Sequence, residues 1–87
     1  MTKPLRLDDG LMAAVDLGSN SFHLAIARLD HGVIRVTESL SEKVQLAAGL
    51  DAAGNLHSAA QERGLACLSR FAQQLHGVEP KRLRIVA

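Results

Sequence analysis

A short polar loop, residues 16–21, contains the side chains of this sequence that could do chemistry together. Gly18 allows the backbone to bend tightly, so that successive N–H groups can converge on one anion. Short side-chain donors surround that bend: Ser19, Asn20 and Ser21. Asp16 supplies a carboxylate, and Mg²⁺ in proteins typically keeps several waters beside one or two carboxylates. The loop therefore predicts a site for a phosphate group and its metal ion.

The same loop also has a simpler interpretation as a turn. Gly-Ser-Asn is common hairpin material, and an aspartate before it often serves only to form the turn. The sequence contains no G-x-x-x-x-G-K-[ST] loop, and no helix is predicted directly after Gly18, as a dinucleotide-binding fingerprint would require. Spacing alone leaves the phosphate site and the plain turn both open.

Three strands are predicted around this loop. The apolar run at residues 11–15 suits a strand that is covered on both faces. Residues 22–29 predict a second strand, and the β-branched run 33–37 predicts a third. Asp30-His31-Gly32 is a tight-turn signature. Because both connections are short, we expect consecutive strands to be antiparallel.

A helix is predicted over residues 58–76, where apolar side chains recur at helical spacing. Ser58 followed by Gln61 matches a capping box, and Gly77 is the expected helix stop. The run at residues 82–87 then reads as a strand. A single helical crossover normally brings such a strand parallel into the same sheet.

Composition describes a small, nearly neutral α/β protein. Of its 87 residues, 47% are hydrophobic and 22% charged, with a net charge of +1, which argues against disorder along the whole chain. The low charge and the two aromatic residues argue against nucleic-acid binding. Cys67 is the one cysteine and excludes an internal disulfide. No apolar run suits a signal peptide or a membrane span, so a cytoplasmic location is expected.

The domain boundaries follow from the two ends of the sequence. Residues 1–10 are polar and read as a flexible tail. The strand pattern at residues 82–87 would leave a buried-type strand without its outer neighbour. We therefore expect residues 11–87 to be the first part of a larger α/β domain.

Residues 13–23 resemble the opening strand and phosphate loop of the exopolyphosphatase and guanosine pentaphosphate phosphohydrolase family, within the actin-like superfamily. The resemblance continues in order through residues 43–50, through 63–68 with 71–72, and through 84–87. These blocks cover nearly everything after residue 10. They are more similar to the exopolyphosphatase branch than to the pentaphosphate branch, without separating the two firmly.

The resemblance implies an α/β fold, namely an incomplete actin-like (ribonuclease H-like) domain of β-β-β-α-β order. By position, Asp16 matches the family's metal-associated aspartate. The residues that would enclose the phosphate are Gly18, Ser19, Asn20 and Ser21. The family's catalytic glutamate and second phosphate loop have no counterpart here, so no catalytic residue is expected within this chain. An isolated 87-residue polypeptide should accordingly be inactive.

The implied activity of the full-length protein is Mg²⁺-assisted attack of water on inorganic polyphosphate, which releases terminal orthophosphate. Alternatives are a guanosine pentaphosphate 5′-phosphohydrolase, an ATP-dependent kinase of the same superfamily, or a non-catalytic actin-like protein. The resemblance also implies a homodimer, and it leaves open peripheral contact with the inner membrane surface.

Four further side chains have both a functional and a simpler interpretation. Lys43 and Arg28 could contact polyphosphate, although solvated charges at strand ends are the simpler prediction. His23 on an apolar strand is interpreted as packed and hydrogen-bonded, and Arg63 on the helix as structural.

Overall fold

The predicted strands form where short turns let consecutive segments pair side by side, although Ala14 is exposed and the first strand is therefore not covered on both faces as expected. The computed structural model describes residues 10–87, so the tail predicted over residues 1–10 lies outside the described residues except for Gly10. The first two strands are β1 (Leu11–Leu17) and β2 (Ser21–Asp30). They are antiparallel, and Leu17 pairs with Phe22 next to the loop.

The third strand, β3 (Val33–Lys43), is six residues longer than the predicted run 33–37. Its polar second half, residues 38–43, pairs with β2 from Ile26 to Ser21. Pairing with a neighbouring strand therefore overrides the low β propensity of this segment. His31 and Gly32, which connect β2 to β3, have φ of 51° and 80°, as a tight hairpin turn requires.

Helix α1 (Ser58–Gln74) begins at the predicted residue, but it is capped differently and ends earlier. The predicted capping box is wrong, because His57 is the N-cap and makes no side-chain capping bond. The Gln61 side-chain amide donates instead to the carbonyl of Leu56 at 2.8 Å. The helix ends two residues before the predicted position, and Gly77 follows with φ of 92°.

A fourth strand, β4 (Leu83–Val86), completes a four-stranded sheet of order β3-β2-β1-β4. β4 is parallel to β1, whereas β1–β2 and β2–β3 are antiparallel. The β-β-β-α-β mixed fold predicted from the sequence is thus confirmed. Since β4 lies beside β1, the carboxyl ends of both strands reach the same sheet edge as the loop after Leu17.

The core lies between α1 and one face of the sheet. Its fully buried members include Leu24, Val44, Cys67 and Phe71, and Val15 and Phe22 are nearly so. Cys67 is a small core residue, as predicted. No helix formed by residues 10–87 is long and apolar enough to cross a membrane.

Candidate functional site

The loop between β1 and β2 closes through a hydrogen bond from Gly18 N–H to the carbonyl of Ser21, at 3.0 Å. Gly18 does not adopt the left-handed conformation; glycine is needed because a Cβ at this position would lie 2.9 Å from the Ser21 carbonyl oxygen. The N–H of Gly18 is used inside the turn, so the donors available to an anion come from the residues after it.

The segment after β3 holds the loop from one side. The N–H groups of Val44 and Gln45 donate to the carbonyl of Asn20 at 2.8 and 3.0 Å. The next two residues along the chain donate to the carbonyl of Ser19 at 2.8 and 3.2 Å. Gln45 adopts φ of 51°, the left-handed conformation that a non-glycine residue seldom takes. Four consecutive donors thus fix two consecutive loop carbonyls.

These bonds determine where the loop's own N–H groups point. In a planar trans peptide the C=O and the following N–H point in opposite directions. Because the carbonyls of Ser19 and Asn20 face residues 44–47, the N–H groups of Asn20 and Ser21 face the other way. Of these two N–H groups, that of Asn20 forms no hydrogen bond within residues 10–87, and that of Ser21 belongs to the first residue of β2. Successive outward N–H groups are the elements of an anion-binding nest.

Arg63 on α1 anchors the holding segment in turn. Its Nε donates to the Val44 carbonyl at 2.9 Å, and its Nη2 donates to the Gln45 carbonyl at 3.2 Å. The structural interpretation of Arg63 is confirmed, but the sequence did not indicate that the residue supports the loop. The only available signal was that residues 43–50 and 63–68 both belong to the resembling blocks.

Asp16 is exposed near the end of β1, beside the loop. Its cross-strand neighbours are His23 on β2 and Val86 on β4. Because Val15 is buried under α1, alternation along the strand directs Asp16 and His23 to the opposite face. His23 is exposed, so the prediction that it is packed and hydrogen-bonded is wrong.

One carboxylate beside a phosphate loop is a partial fit for Mg²⁺. Among residues 10–87, no three His, Cys, Asp or Glu side chains come together as a metal cage. Mg²⁺ commonly uses one or two carboxylates together with substrate phosphates and waters. Asp16 therefore suits an ion that arrives with a phosphorylated substrate, and the metal assignment remains a prediction.

Lys43 and Arg28, which sequence patterns could not distinguish, lie at opposite ends of the sheet. Lys43 is the last residue of β3 and pairs with Ser21, whereas Arg28 pairs with Leu11 and Arg35. An open pocket of about 310 Å³ beside the loop is lined by Asn20, Ser21, Lys43, Gln45 and Ala48. The structure thus brings Lys43, and not Arg28, to two of the predicted phosphate-binding residues.

Glu42, next to Lys43, faces the helix side of the sheet and is already paired. Arg70 donates to it from α1 through two guanidinium nitrogens, with Nε to Oε2 at 2.8 Å. The hydrogen bonds from Arg70 hold the pKa of the Glu42 carboxyl below its usual value. Burial, with Glu42 nearby, raises the pKa of the Cys67 thiol. The face of β3 that carries Glu42 therefore serves to hold α1 against the sheet.

Comparison with known proteins supplies the family context of this geometry. A family model described as the Ppx/GppA phosphatase family matches residues 25–87. The crystal structure of an Aquifex aeolicus Ppx/GppA phosphatase, type II variant, is 20% identical with a TM-score of 0.77, covering 87% of this chain and 25% of that chain. An exopolyphosphatase from Cytophaga hutchinsonii is 25% identical with a TM-score of 0.72, covering 88% and 24%. The chain thus spans about a quarter of the length of these solved structures.

Proposed function

The chain belongs to the Ppx/GppA phosphatase family, and we propose that it contributes the phosphate-binding loop of an exopolyphosphatase. The observation that carries the proposal is the orientation of the loop, whose Ser19 and Asn20 carbonyls are both held by residues 44–47. The N–H groups that follow these carbonyls, those of Asn20 and Ser21, are thereby turned away from residues 44–47, in the loop that begins just after Asp16 and Leu17. A fixed set of donors next to a carboxylate is what a metal-bound phosphate requires.

In this proposal the chain binds and orients the terminal phosphoryl group. The N–H groups of Asn20 and Ser21, with the hydroxyls of Ser19 and Ser21, donate hydrogen bonds to its oxygens. Asp16 would hold Mg²⁺, which when bound neutralises charge on the phosphate oxygens. Phosphoryl transfer depends mainly on positioning and electrostatic stabilisation, so donors fixed in advance are the main requirement.

Proton transfer is not assigned to this chain. The resemblance places the family's water-activating glutamate outside residues 1–87, and none of the four loop residues 18–21 takes its role in our proposal. The chain's part is therefore to hold the phosphoryl group while water forms the new P–O bond and the bond to the remaining polyphosphate breaks. The homodimer and the cytoplasmic location remain predictions.

The substrate test is phosphate release by the complete gene product, measured with inorganic polyphosphate and with guanosine pentaphosphate. We expect a higher kcat/KM for polyphosphate, in line with the exopolyphosphatase among the similar solved structures. A higher value for guanosine pentaphosphate would make the protein a pentaphosphate phosphohydrolase. Transfer to an acceptor other than water, or no turnover of either compound, would favour the kinase or the non-catalytic alternative.

A further inference from the structure

We propose that Lys43 is a second substrate-binding residue, whose ammonium group binds the phosphate adjacent to the one held by residues 18–21. This inference rests on the proposed function, because it assigns Lys43 to the same polyphosphate substrate. It adds a residue from β3 to a site that the sequence located only between β1 and β2.

The sheet register places Lys43 on the same face as the polar residues of the site. Glu42 faces α1, where it meets Arg70. The next residue along the strand, Lys43, therefore faces the opposite side. Lys43 pairs across the sheet with Ser21, and Asp16 pairs with His23. Because Ser21 and His23 are two residues apart on β2, they point to the same face, and their cross-strand partners Lys43 and Asp16 share it. Lys43 lies two strands away from Asp16 and is offset from it by two residues along the strand direction. At ordinary sheet spacings, their Cα atoms are therefore about 12 Å apart.

Lys43 is also fixed relative to the loop. The residues that follow it, Val44 and Gln45, both donate to the Asn20 carbonyl. Their own carbonyls accept hydrogen bonds from Arg63. The base of the Lys43 side chain therefore cannot shift without breaking the bonds that orient the loop. The Lys43 backbone is thus fixed beside the pocket that Lys43 lines with Asn20 and Ser21. Its ammonium group is therefore positioned in advance for an anion bound in that pocket.

The charge of Lys43 is not neutralised within residues 10–87. Lys43 is exposed and forms no ion pair there, whereas its neighbour Glu42 is taken by Arg70. Lysine is a compact point charge on a long flexible stem, suited to a phosphate whose position varies slightly. A polyphosphate presents a negative group next to the one in the loop, and a single orthophosphate does not. Lys43 should therefore favour the polymer over the product.

The test compares Lys43→Gln, Lys43→Arg and Lys81→Gln in the complete gene product. Lys81 is an exposed lysine before β4, at the opposite sheet end from the loop, and serves as the matched control. We expect Lys43→Gln to raise the KM for polyphosphate about tenfold, the loss of one charge-assisted hydrogen bond. It should leave the inhibition constant of inorganic phosphate unchanged. Lys43→Arg should restore KM, and Lys81→Gln should match the wild type.

Two results would overturn the assignment. An unchanged KM in Lys43→Gln, alongside loss of turnover in Asp16→Asn, would leave the proposed function standing and remove Lys43 from the site. Equal weakening of polyphosphate and inorganic phosphate would mean that Lys43 acts only through the structure of the loop. If the wild-type protein released no phosphate from polyphosphate, the proposed function would fail and this inference with it.

Discussion

Arg63 Nε donates to the main-chain carbonyl of Val44 at 2.9 Å, which links helix α1 to the candidate phosphate loop. The N–H of Val44 donates in turn to the carbonyl of Asn20 at 2.8 Å. The Arg63 side chain thus holds the carbonyl of Val44, the residue whose N–H holds the loop. The site depends on contacts between segments that are distant in sequence.

Replacing Arg63 by methionine should loosen residues 44–47 without unfolding the protein. The variant leaves the part-buried Val44 carbonyl without its donor, whereas the exposed Gln45 carbonyl can bond water instead. The loss of a partner typically costs about 1–3 kcal/mol for a fully buried group, and we expect less here. We expect faster hydrogen exchange at the amides of residues 44–47, measured by NMR or mass spectrometry, together with a raised KM for polyphosphate. Arg35→Met is the matched control, because Arg35 lies on the exposed hairpin and pairs only with Asp30 among residues 10–87. Unchanged exchange in Arg63→Met would contradict the link.

Gly18→Ala should impair catalysis for a steric reason. The added Cβ would meet the Ser21 carbonyl at 2.9 Å, so the loop must shift. Because a misplacement of about 1 Å at a site can cost about a hundredfold, we expect kcat/KM to fall roughly tenfold to a hundredfold. Gly32→Ala is the control: it strains a positive φ in the far hairpin, where nothing lies within 4 Å, and should reduce stability but leave kcat/KM unchanged. Wild-type kcat/KM in Gly18→Ala would show that the turn tolerates the side chain.

Two other glycines should respond in opposite directions to alanine. At Gly64 in α1 the new Cβ would meet Leu46 at 3.5 Å, an ordinary contact, so Gly64→Ala should stabilise the protein by up to about 1 kcal/mol. At Gly49 it would meet the Cβ of Ala60 at 2.4 Å, so Gly49→Ala should destabilise. Thermal unfolding midpoints test both, and a lower midpoint for Gly64→Ala would mean that the helix packs more tightly there than the contacts indicate.

The Glu42–Arg70 pair should make stability depend on pH in the acidic range. Since the folded-state pKa of Glu42 is lowered by the Arg70 hydrogen bonds, its contribution is fully present above the unfolded pKa of about 4.3. This contribution to stability is lost as pH falls through the folded-state pKa of Glu42. The difference in unfolding free energy between wild type and Glu42→Gln should therefore be constant above about pH 5 and shrink below it. Glu79→Gln is the exposed control, and a difference that stays constant down to pH 3 would refute the pairing.

Much of the fold was predictable because it follows from local patterns. Residues 11–15 form an apolar run, residues 33–37 are rich in β-branched side chains and residues 58–76 carry a helical repeat, so the β-β-β-α-β order could be deduced. The second half of β3 could not, because its polar residues are extended only through pairing with β2. The capping-box prediction was also wrong, because the Gln61 side-chain amide donates to the carbonyl of Leu56 instead of bonding at the helix start with Ser58.

The candidate site was predictable in its residues but not in its geometry. Asp16 and Gly18 stood out through residue type, but the sequence could not show that Gly18 is needed for its close approach to the Ser21 carbonyl. The contributions of Lys43 and Arg63 depend on β3 register and on a helix-to-segment contact. Neither can be read from spacing along the chain, because both join residues that are about twenty positions apart in sequence.

The most direct test of the phosphate-site assignment is the Mg²⁺ dependence of phosphate release by Asp16→Asn in the complete gene product, with Asp30→Asn in the distant hairpin as control. If Asp16 holds the ion beside the loop, Asp16→Asn should lower kcat/KM for polyphosphate at least tenfold, about 1.4 kcal/mol of transition-state stabilisation. It should also shift the Mg²⁺ response to higher concentration, while Asp30→Asn should resemble the wild type. An identical rate and an identical Mg²⁺ titration for Asp16→Asn would contradict the account.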